Sequence, residues 1–148
     1  MRDYLANEVR NIVLMGHSGA GKSSVVEDDL CFTKATDRLG KTIDGTSVMD
    51  NDAEEIKRGL SVYTSIAPVE WKECKINFID TPGYLDYEGE AQCGIAVGDN
   101  ALIVVGAKDG VESGTEKAWK IVTRKKLPTI FFINKIDEEN ASFDQTYN

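Results

Sequence analysis

Cysteine, histidine and long apolar runs are scarce in this sequence, and each shortage excludes a class of protein. The three cysteines, Cys31, Cys74 and Cys93, are widely separated and form no CxxC pair, and the sequence has no histidine cluster that would complete a zinc site. The chain begins with no signal peptide, and no apolar run approaches the roughly 20 residues that span a bilayer. We therefore expect free thiols, no membrane-spanning segment and a cytoplasmic location.

Basic residues are also few relative to acidic ones. Lysine and arginine number 17 against 25 aspartates and glutamates, which gives a formal net charge of -8. Such a balance disfavours a surface that neutralises nucleic-acid phosphates, so direct sequence-specific nucleic-acid binding is not expected. A length of 148 residues with 41% hydrophobic composition fits one domain with its own core.

The first part of the chain predicts a strand, a loop and a helix, followed by a long irregular segment. An apolar run at 11–15 leads directly into glycines, after which Val26 and Leu30 recur at helical spacing. Residues 34–59 show no periodicity and are rich in Asp, Thr, Gly and Lys, which is typical of a long surface loop.

The rest of the chain predicts a hairpin and then alternating helices and strands. This alternation indicates an α/β fold with a mostly parallel, mixed sheet and a ligand at the carboxyl ends of the strands. The predicted elements are a hairpin of 62–67 and 75–79 around a turn at 71–74, helices over 85–97 and from a capping box at 113–116 to Pro128, and strands at 101–105 and 129–133.

A phosphate-binding motif lies between the first predicted strand and helix. Residues 16–23 match GxxxxGK[ST], a pattern whose glycines let backbone N–H groups converge on phosphate oxygens at a helix N-terminus. Lys22 is expected to pair with the terminal phosphates and Ser23 to offer its hydroxyl to Mg²⁺. The motif alone does not distinguish ATP from GTP. The alternative interpretation is a glycine-rich turn that binds no ligand. The predicted nucleotide contacts here are Gly16, His17, Ser18, Gly19, Ala20, Gly21, Lys22, Ser23 and Ser24.

A second motif, Asp80-Thr81-Pro82-Gly83, follows the strand that ends at Ile79. Its carboxylate is expected near Mg²⁺, and the N–H of Gly83 near a γ-phosphate. We predict that all four residues contribute to the nucleotide site, although a Pro-Gly pair also marks plain turns.

A third motif, Asn134-Lys135-Ile136-Asp137, follows the last predicted strand. A fixed carboxylate at Asp137 can accept both N1–H and the exocyclic amino group of guanine, a pair that adenine lacks. Sites built on such hydrogen bonds reject analogues by roughly 10⁴-fold. We expect Asn134 to brace the loop and the alkyl stem of Lys135 to lie along the base.

In this order and spacing, the three motifs resemble those of the translational GTPases, and the similarity to the N-terminal GTPase domain of elongation factor G extends from about Arg10 to Asn148. Residues 58–61 (Arg-Gly-Leu-Ser) resemble that family's Arg-Gly-Ile-Thr. The resemblance implies a three-layer P-loop G domain that binds GTP or GDP with Mg²⁺ and hydrolyses GTP in translation. It also implies a first switch at 34–61, in which Ser61 reaches Mg²⁺ in the triphosphate state, and a second switch at 80 to about 94.

The sequence departs from the family at several positions. Tyr84 stands where the family usually has a histidine that orients the attacking water, and Gly19 stands where it generally has an aspartate. Tyr84, Gly83 and Lys22 are the residues we assign to the hydrolysis step. The family's last guanine loop, strand and helix have no counterpart before Asn148, so we expect residues 1–148 to be a C-terminally incomplete G domain. A bare strand at 129–134 then predicts self-association.

Three functions remain open at this point. A translational GTPase activated by the ribosome, through the full-length protein, is the leading one. A GTP-binding ribosome-protection or sensing module with little hydrolysis is the alternative that Tyr84 suggests. An ATP-dependent kinase or ATPase is disfavoured by Asn134 and Asp137. His17 is expected to pack within its loop and have no catalytic role.

Overall fold

The computed structural model describes residues 2–42, 44–50 and 52–148, and the side chain of Leu85 is outside this description. Its strands are β1 (Val9–Met15), β2 (Ser65–Trp71), β3 (Cys74–Asp80), β4 (Asn100–Gly106) and β5 (Thr129–Asn134). Its helices are α1 (Lys22–Phe32), α2 (Ala53–Arg58), α3 (Glu88–Val97), α4 (Ser113–Lys125) and α5 (Phe143–Tyr147), with 3₁₀ turns at Ala6–Glu8 and Leu85–Tyr87.

The strands form one mixed sheet in the order β2-β3-β1-β4-β5. β1 is parallel to both β3 and β4, β4 is parallel to β5, and the hairpin strand β2 is antiparallel to β3. The carboxyl ends of β1, β3, β4 and β5 therefore lie at one edge of the sheet. The predicted mostly parallel, mixed sheet is confirmed.

Alternating side chains of the sheet build two cores, which makes the predicted three layers. Leu14 and Phe78 face α1, where they pack with Val26 and Leu30. On the opposite face, Val13 and Ile103 pack against α3 and α4, where they meet Ile95 and Ile121. Burying one such aliphatic side chain stabilises the fold by about 1.5–3 kcal/mol. Packing on both faces therefore fixes the positions of the helices relative to the carboxyl ends of the strands.

Three local predictions are wrong. The predicted loop at 34–59, of which Ile43 and Asn51 lie outside the described residues, contains α2. The first hairpin strand begins at Ser65 and not at Val62. Helix α4 is capped by Glu112 and Thr115, one residue before the predicted capping box.

Helix α2 was missed because it lacks a periodic apolar face. Its stability comes from its ends: the Asp52 carboxylate accepts a hydrogen bond from Glu54 N at 2.8 Å, and Gly59 ends the helix in the left-handed region at φ 64°. The buried carboxylate of Glu55 accepts hydrogen bonds from Val62 N and Tyr63 N, each at 3.0 Å. These two N–H groups are consequently taken by a side chain, which explains why β2 starts later than predicted.

The three cysteines are free, as predicted. Among the described residues, no helix is both long enough and apolar enough to cross a bilayer.

Candidate nucleotide-binding site

The sheet places the three predicted motifs at one edge. β1 runs into the phosphate-binding motif, β3 ends at Asp80, and β5 ends at Asn134. Leu14 pairs with Asp80 and Gly106 with Asn134 in the strand register, so these strand ends are side by side. This is the edge at which open α/β sheets bind ligands.

Glycines allow the phosphate-binding motif to fold tightly over this edge. Gly16 has φ 137°, and a Cβ there would lie 2.3 Å from the carbonyl oxygen of Val104 in β4. Gly21 has φ 94°, and a Cβ there would lie 2.3 Å from Nδ2 of Asn134. A side chain at either position would push the loop away from the sheet, because both conformations are strained for other residues.

Lys22 is buried at the start of α1 and folds back over its own loop. Its ammonium group donates hydrogen bonds to the carbonyl oxygens of Gly16 at 3.3 Å and His17 at 3.0 Å. Burial lowers the pKa of Lys22, while the carboxylates of Asp80 and Asp50 act in the opposite direction. A cation held in this way favours the binding of a polyanion.

A cluster of oxygen atoms lies next to Lys22. The hydroxyl of Ser23 donates to Asp80 Oδ2 at 2.5 Å and lies 3.2 Å from the hydroxyl of Ser61. Asp80 is buried, and its Oδ1 has no hydrogen-bond partner in the part of the chain that the structure describes. Burial raises the pKa of Asp80 to about 6, against the opposing effects of Lys22 and the Ser23 hydrogen bond. The predicted metal set of Ser23, Ser61 and Asp80 is thus brought together.

Of the residues after Asp80, Thr81 and Pro82 are buried, whereas Gly83 and Tyr84 line the cleft next to the phosphate-binding motif. The Thr81 hydroxyl donates to the carbonyl of Leu14 at 2.6 Å, so it ties β3 to β1. Gly83 lies against the phosphate-binding motif: a Cβ there would be 2.5 Å from Lys22 Nζ and 2.6 Å from Ser18 N. Tyr84 is 46% exposed and lines the same cleft.

The Asn134–Asp137 motif lies against the far side of the phosphate-binding motif. Asn134 Nδ2 donates to the carbonyl oxygen of Ala20 at 3.0 Å, so a hydrogen bond joins the two motifs. Lys135 lines the cleft and forms an ion pair with Glu138 at 3.0 Å. Asp137 is exposed in the turn beyond Lys135 and does not line this cleft.

The cleft has a volume of about 490 Å³, within the range of small-molecule sites. Ten of the residues predicted for the site line it: Ser18, Gly19, Gly21, Lys22, Ser23, Ser24, Ser61, Gly83, Tyr84 and Lys135. The predictions for nucleotide contacts missed five further lining residues: Thr42, Asp50, Arg58, Gly59 and Leu60. Residues 58–60 belong to the Arg-Gly-Leu-Ser segment, whereas Thr42 and Asp50 have no local sequence signal.

The side chain of His17 points away from the cleft, towards α4. Its Nδ1 accepts a hydrogen bond from Gly114 N at 3.3 Å, and its Nε2 lies 3.4 Å from Glu112 Oε1. These contacts agree with a packing role. The main-chain carbonyl of His17 still contributes to the site through its hydrogen bond with Lys22.

Comparison with known proteins matches the chain to GTP-binding domains of elongation factors. Residues 7–148 match the model of the elongation factor Tu GTP binding domain. Over 137 residues, the chain is 38% identical to elongation factor G of Mycoplasma pneumoniae and 37% identical to elongation factor G of Mycoplasma genitalium, covering 93% of this chain and 20% of each relative.

A solved structure from Thermus thermophilus superposes with a TM-score of 0.91 at 32% sequence identity, covering 95% of this chain and 21% of that one. The chain therefore spans about a fifth of the length of these relatives. Because the family model matches nearly all of the chain, and the motifs of the cleft lie at the expected strand ends, the chain belongs to the family of the elongation factor Tu GTP binding domain.

Proposed function

We propose that this chain binds GTP and GDP with Mg²⁺ and hydrolyses GTP as the GTPase module of an elongation-factor-G-like translation factor in the cytoplasm. The observation that carries the proposal is the convergence of Lys22, the Ser23–Asp80–Ser61 oxygen cluster and Lys135 on one cleft at the carboxyl edge of the sheet. The two relatives named elongation factor G support this function over a ribosome-protection or sensing module.

Magnesium fits the residues present. Mg²⁺ prefers oxygen ligands and keeps several waters, and the cluster offers two hydroxyls and a carboxylate whose Oδ1 has no partner within the described residues. We propose that Ser23, Ser61 and Asp80 hold the ion, which would neutralise charge on the terminal phosphates. The main-chain N–H groups of residues 18–24, the N-terminus of α1 and the ammonium group of Lys22 bind the phosphates themselves.

We propose that guanine is selected next to the cleft by Asn134, Lys135 and Asp137. Asn134 holds the phosphate-binding motif through Ala20, so the base site and the phosphate site are joined by one hydrogen bond. The exposed carboxylate of Asp137 accepts the two donors of guanine, and the stem of Lys135 packs on the ring. Thr81, Pro82 and Ala20 contribute by fixing the backbone, because they are buried.

Hydrolysis by this family's chemistry is mostly a matter of position and charge. We propose that Gly83 N–H contacts the γ-phosphate, that Lys22 stabilises the charge developing on it, and that Tyr84 holds the attacking water. A phenol accepts and donates hydrogen bonds but, unlike a histidine ring, does not take up a proton to become a cation. Since the exposed Tyr84 needs to be ordered, we propose that the ribosome orders it through the full-length protein, and that intrinsic turnover is slow.

Titration calorimetry of the chain with GDP, GTP and ATP in Mg²⁺ tests the binding part. We expect GDP and GTP to bind and ATP to bind at least about 100-fold more weakly. The matched variant Lys22→Ala should lose binding, while Lys108→Ala, an exposed lysine away from the cleft, should retain it. Equal affinity for ATP and GTP would contradict the proposal.

Turnover of GTP by the full-length protein, with and without ribosomes, tests the hydrolysis part. We expect ribosomes to raise the rate, and Tyr84→Phe to lower the stimulated rate because it loses the hydroxyl that holds the water. Tight GTP binding with no turnover on ribosomes would instead indicate a binding module.

A further inference from the structure

The buried carboxylate of Glu27 holds a distant part of the chain against α1. Glu27 is 1% exposed, and its Oε1 accepts hydrogen bonds from the Ser47 hydroxyl at 2.6 Å, Val48 N at 2.5 Å and Met49 N at 3.2 Å. A carboxylate excluded from water requires such donors, because burying an unpaired charge is costly. The Glu27 side chain and residues 47–49 therefore depend on each other.

The segment 47–50 is closed by further contacts. The Ser47 hydroxyl accepts hydrogen bonds from Met49 N at 3.0 Å and Asp50 N at 3.2 Å. The Met49 side chain is buried in the core that α1 shares with the sheet, and its carbonyl accepts a hydrogen bond from the Ser65 hydroxyl at 2.8 Å. These contacts make 47–50 a fixed point within the first switch.

The chain on the other side of this bend also packs on Glu27. A Cβ at Gly40 would lie 2.4 Å from Glu27 Oε2 and 2.8 Å from the carbonyl oxygen of Thr46. Only a glycine at 40 leaves room for the carboxylate, so Glu27 contacts the first switch at two places.

The anchored segment leads directly to the wall of the cleft. Asp50 is 3% exposed, accepts a hydrogen bond from the Thr42 hydroxyl at 3.1 Å, and lines the cleft together with Thr42. Ser23 and Glu27 are four residues apart and so share one face of α1. One helix face thus carries a proposed Mg²⁺ ligand and the anchor of the opposite wall.

We propose that Glu27 is a positioning residue for nucleotide binding. By holding residues 47–50 against α1, it fixes the side of the cleft that Thr42 and Asp50 line, next to the phosphate-binding motif. This inference rests on the proposed binding of guanine nucleotides. A negative charge at Asp50 opposes a bare polyphosphate and favours its Mg²⁺ complex. Release of the anchor therefore reduces the gain in affinity that Mg²⁺ gives.

The test compares three variants of the 148-residue chain. Glu27→Ala removes the acceptor, Glu27→Gln keeps an oxygen that can accept the three hydrogen bonds, and Asp28→Asn changes the exposed neighbouring carboxylate on the same helix. Two quantities are measured: the rate of trypsin cleavage after the exposed Lys41, and the ratio of GDP dissociation constants in EDTA and in Mg²⁺.

Glu27→Ala should speed cleavage after Lys41 and reduce the Mg²⁺ gain, each by at least about fivefold, since the Ser47 hydroxyl, Val48 N and Met49 N all lose the carboxylate as an acceptor. Glu27→Gln and Asp28→Asn should stay within about twofold of the unmodified chain by both measures, because the acceptor remains. Wild-type protection and an unchanged Mg²⁺ gain in Glu27→Ala would overturn the proposal.

Two further outcomes are separable. If the unmodified chain binds no guanine nucleotide, the proposed function fails, while the cleavage rate still decides whether Glu27 holds the segment. If Glu27→Ala does not fold, Ser47→Ala takes its place, because it removes one donor to Glu27 and the acceptor of Met49 N and Asp50 N. Wild-type values of both quantities in Ser47→Ala would then overturn the inference.

Discussion

At the level of single residues, the proposed selection of guanine depends on one exposed carboxylate, that of Asp137. Asp137→Asn replaces an acceptor by an amide that also donates, which suits the 2-oxo group of xanthine better than the 2-amino group of guanine. We expect the preference for GDP over XDP to be reversed, with GDP affinity reduced by at least about 100-fold. Competition binding measures this.

Glu139→Gln is the matched control, since Glu139 is an exposed carboxylate two residues further along the same turn. Both variants lose one negative charge. If both lower GDP affinity equally, general charge and not recognition of the base is responsible.

Gly83 offers a second test at this scale. In Gly83→Ala, the new Cβ would lie 2.5 Å from Lys22 Nζ and 2.6 Å from Ser18 N, so the second switch must shift away from the phosphate-binding motif. We expect GTP to lose about tenfold or more in affinity relative to GDP, because the proposed contact of the Gly83 N–H is with the γ-phosphate.

Gly89→Ala is the control for Gly83→Ala. Gly89 lies in α3, and a Cβ there meets no atom within 4 Å. Gly89 is the second residue of α3, where replacing glycine by alanine should stabilise the fold by up to about 0.5–1 kcal/mol, so thermal unfolding should occur at a higher temperature with nucleotide affinity unchanged. Equal affinity losses in both variants would show that the clash at Gly83 is not the cause.

Site residues that belong to a local sequence motif could be predicted from the sequence. Site residues that only tertiary packing brings to the cleft could not. The glycines at 16 and 21, with Lys22, form a local pattern that is recognised from a few consecutive residues between a strand and a helix. Asp50 and Glu27 are 23 residues apart (50 minus 27), and only tertiary packing brings the segment before Asp50 against Glu27. Single buried carboxylates of this kind have no sequence signature.

At the level of elements, α3 is attached to the chain just before β2. Glu90 in α3 accepts a hydrogen bond from Thr64 N at 3.0 Å, and its carbonyl oxygen accepts one from the Thr64 hydroxyl at 2.9 Å. Glu90→Ala leaves Thr64 N without its partner. We expect a loss of about 1–2 kcal/mol in the free energy of unfolding by urea titration.

Glu88→Gln on the same helix is the comparison. Glu88 pairs with Lys117 of α4 at 2.6 Å, but both side chains are substantially exposed. Exposed ion pairs contribute little to stability, so this change should be nearly neutral. If Glu88→Gln destabilises the chain as much as Glu90→Ala, the attachment of α3 depends on charge and not on the Thr64 contact.

Elements with a periodic apolar face were predicted, while those held by side-chain caps were not. The apolar runs of β4 and β5 and the apolar face of α4 match the expected segments. Helix α2 and the start of β2 depend on Asp52 and Glu55, whose hydrogen bonds replace apolar packing. A polar stretch rich in charged residues predicts a loop, unless a capping pair such as Asp52 and Glu55 is taken into account.

At the level of the whole molecule, the two edges of the sheet differ. β5 exposes Ile130, Phe131 and Phe132, at 67%, 51% and 42%, whereas the other edge strand, β2, contains Pro68, which has no N–H to donate. We propose that the chain self-associates through β5 at high concentration, as its sequence predicted. Light scattering over a concentration series measures the mean mass.

Matched lysine substitutions locate the surface. Ile130 and Ile66 are similarly exposed, at 67% and 63%, on opposite edge strands. Ile130→Lys should keep the chain monomeric, because a charged side chain on an edge strand opposes pairing, and Ile66→Lys should associate like the unmodified chain. A monomeric unmodified chain at all concentrations would exclude this use of β5.

The contact between His17 and the first turn of α4 links two positions that are far apart in the sequence. A Cβ at Gly114 would lie 2.7 Å from the Cα of His17 and 2.9 Å from its Nδ1. The main chain of the phosphate-binding motif therefore rests on a position without a side chain. Among relatives, we expect positions 17 and 114 to vary together, so that an alanine or larger residue at 114 occurs only where the motif follows another path over the sheet.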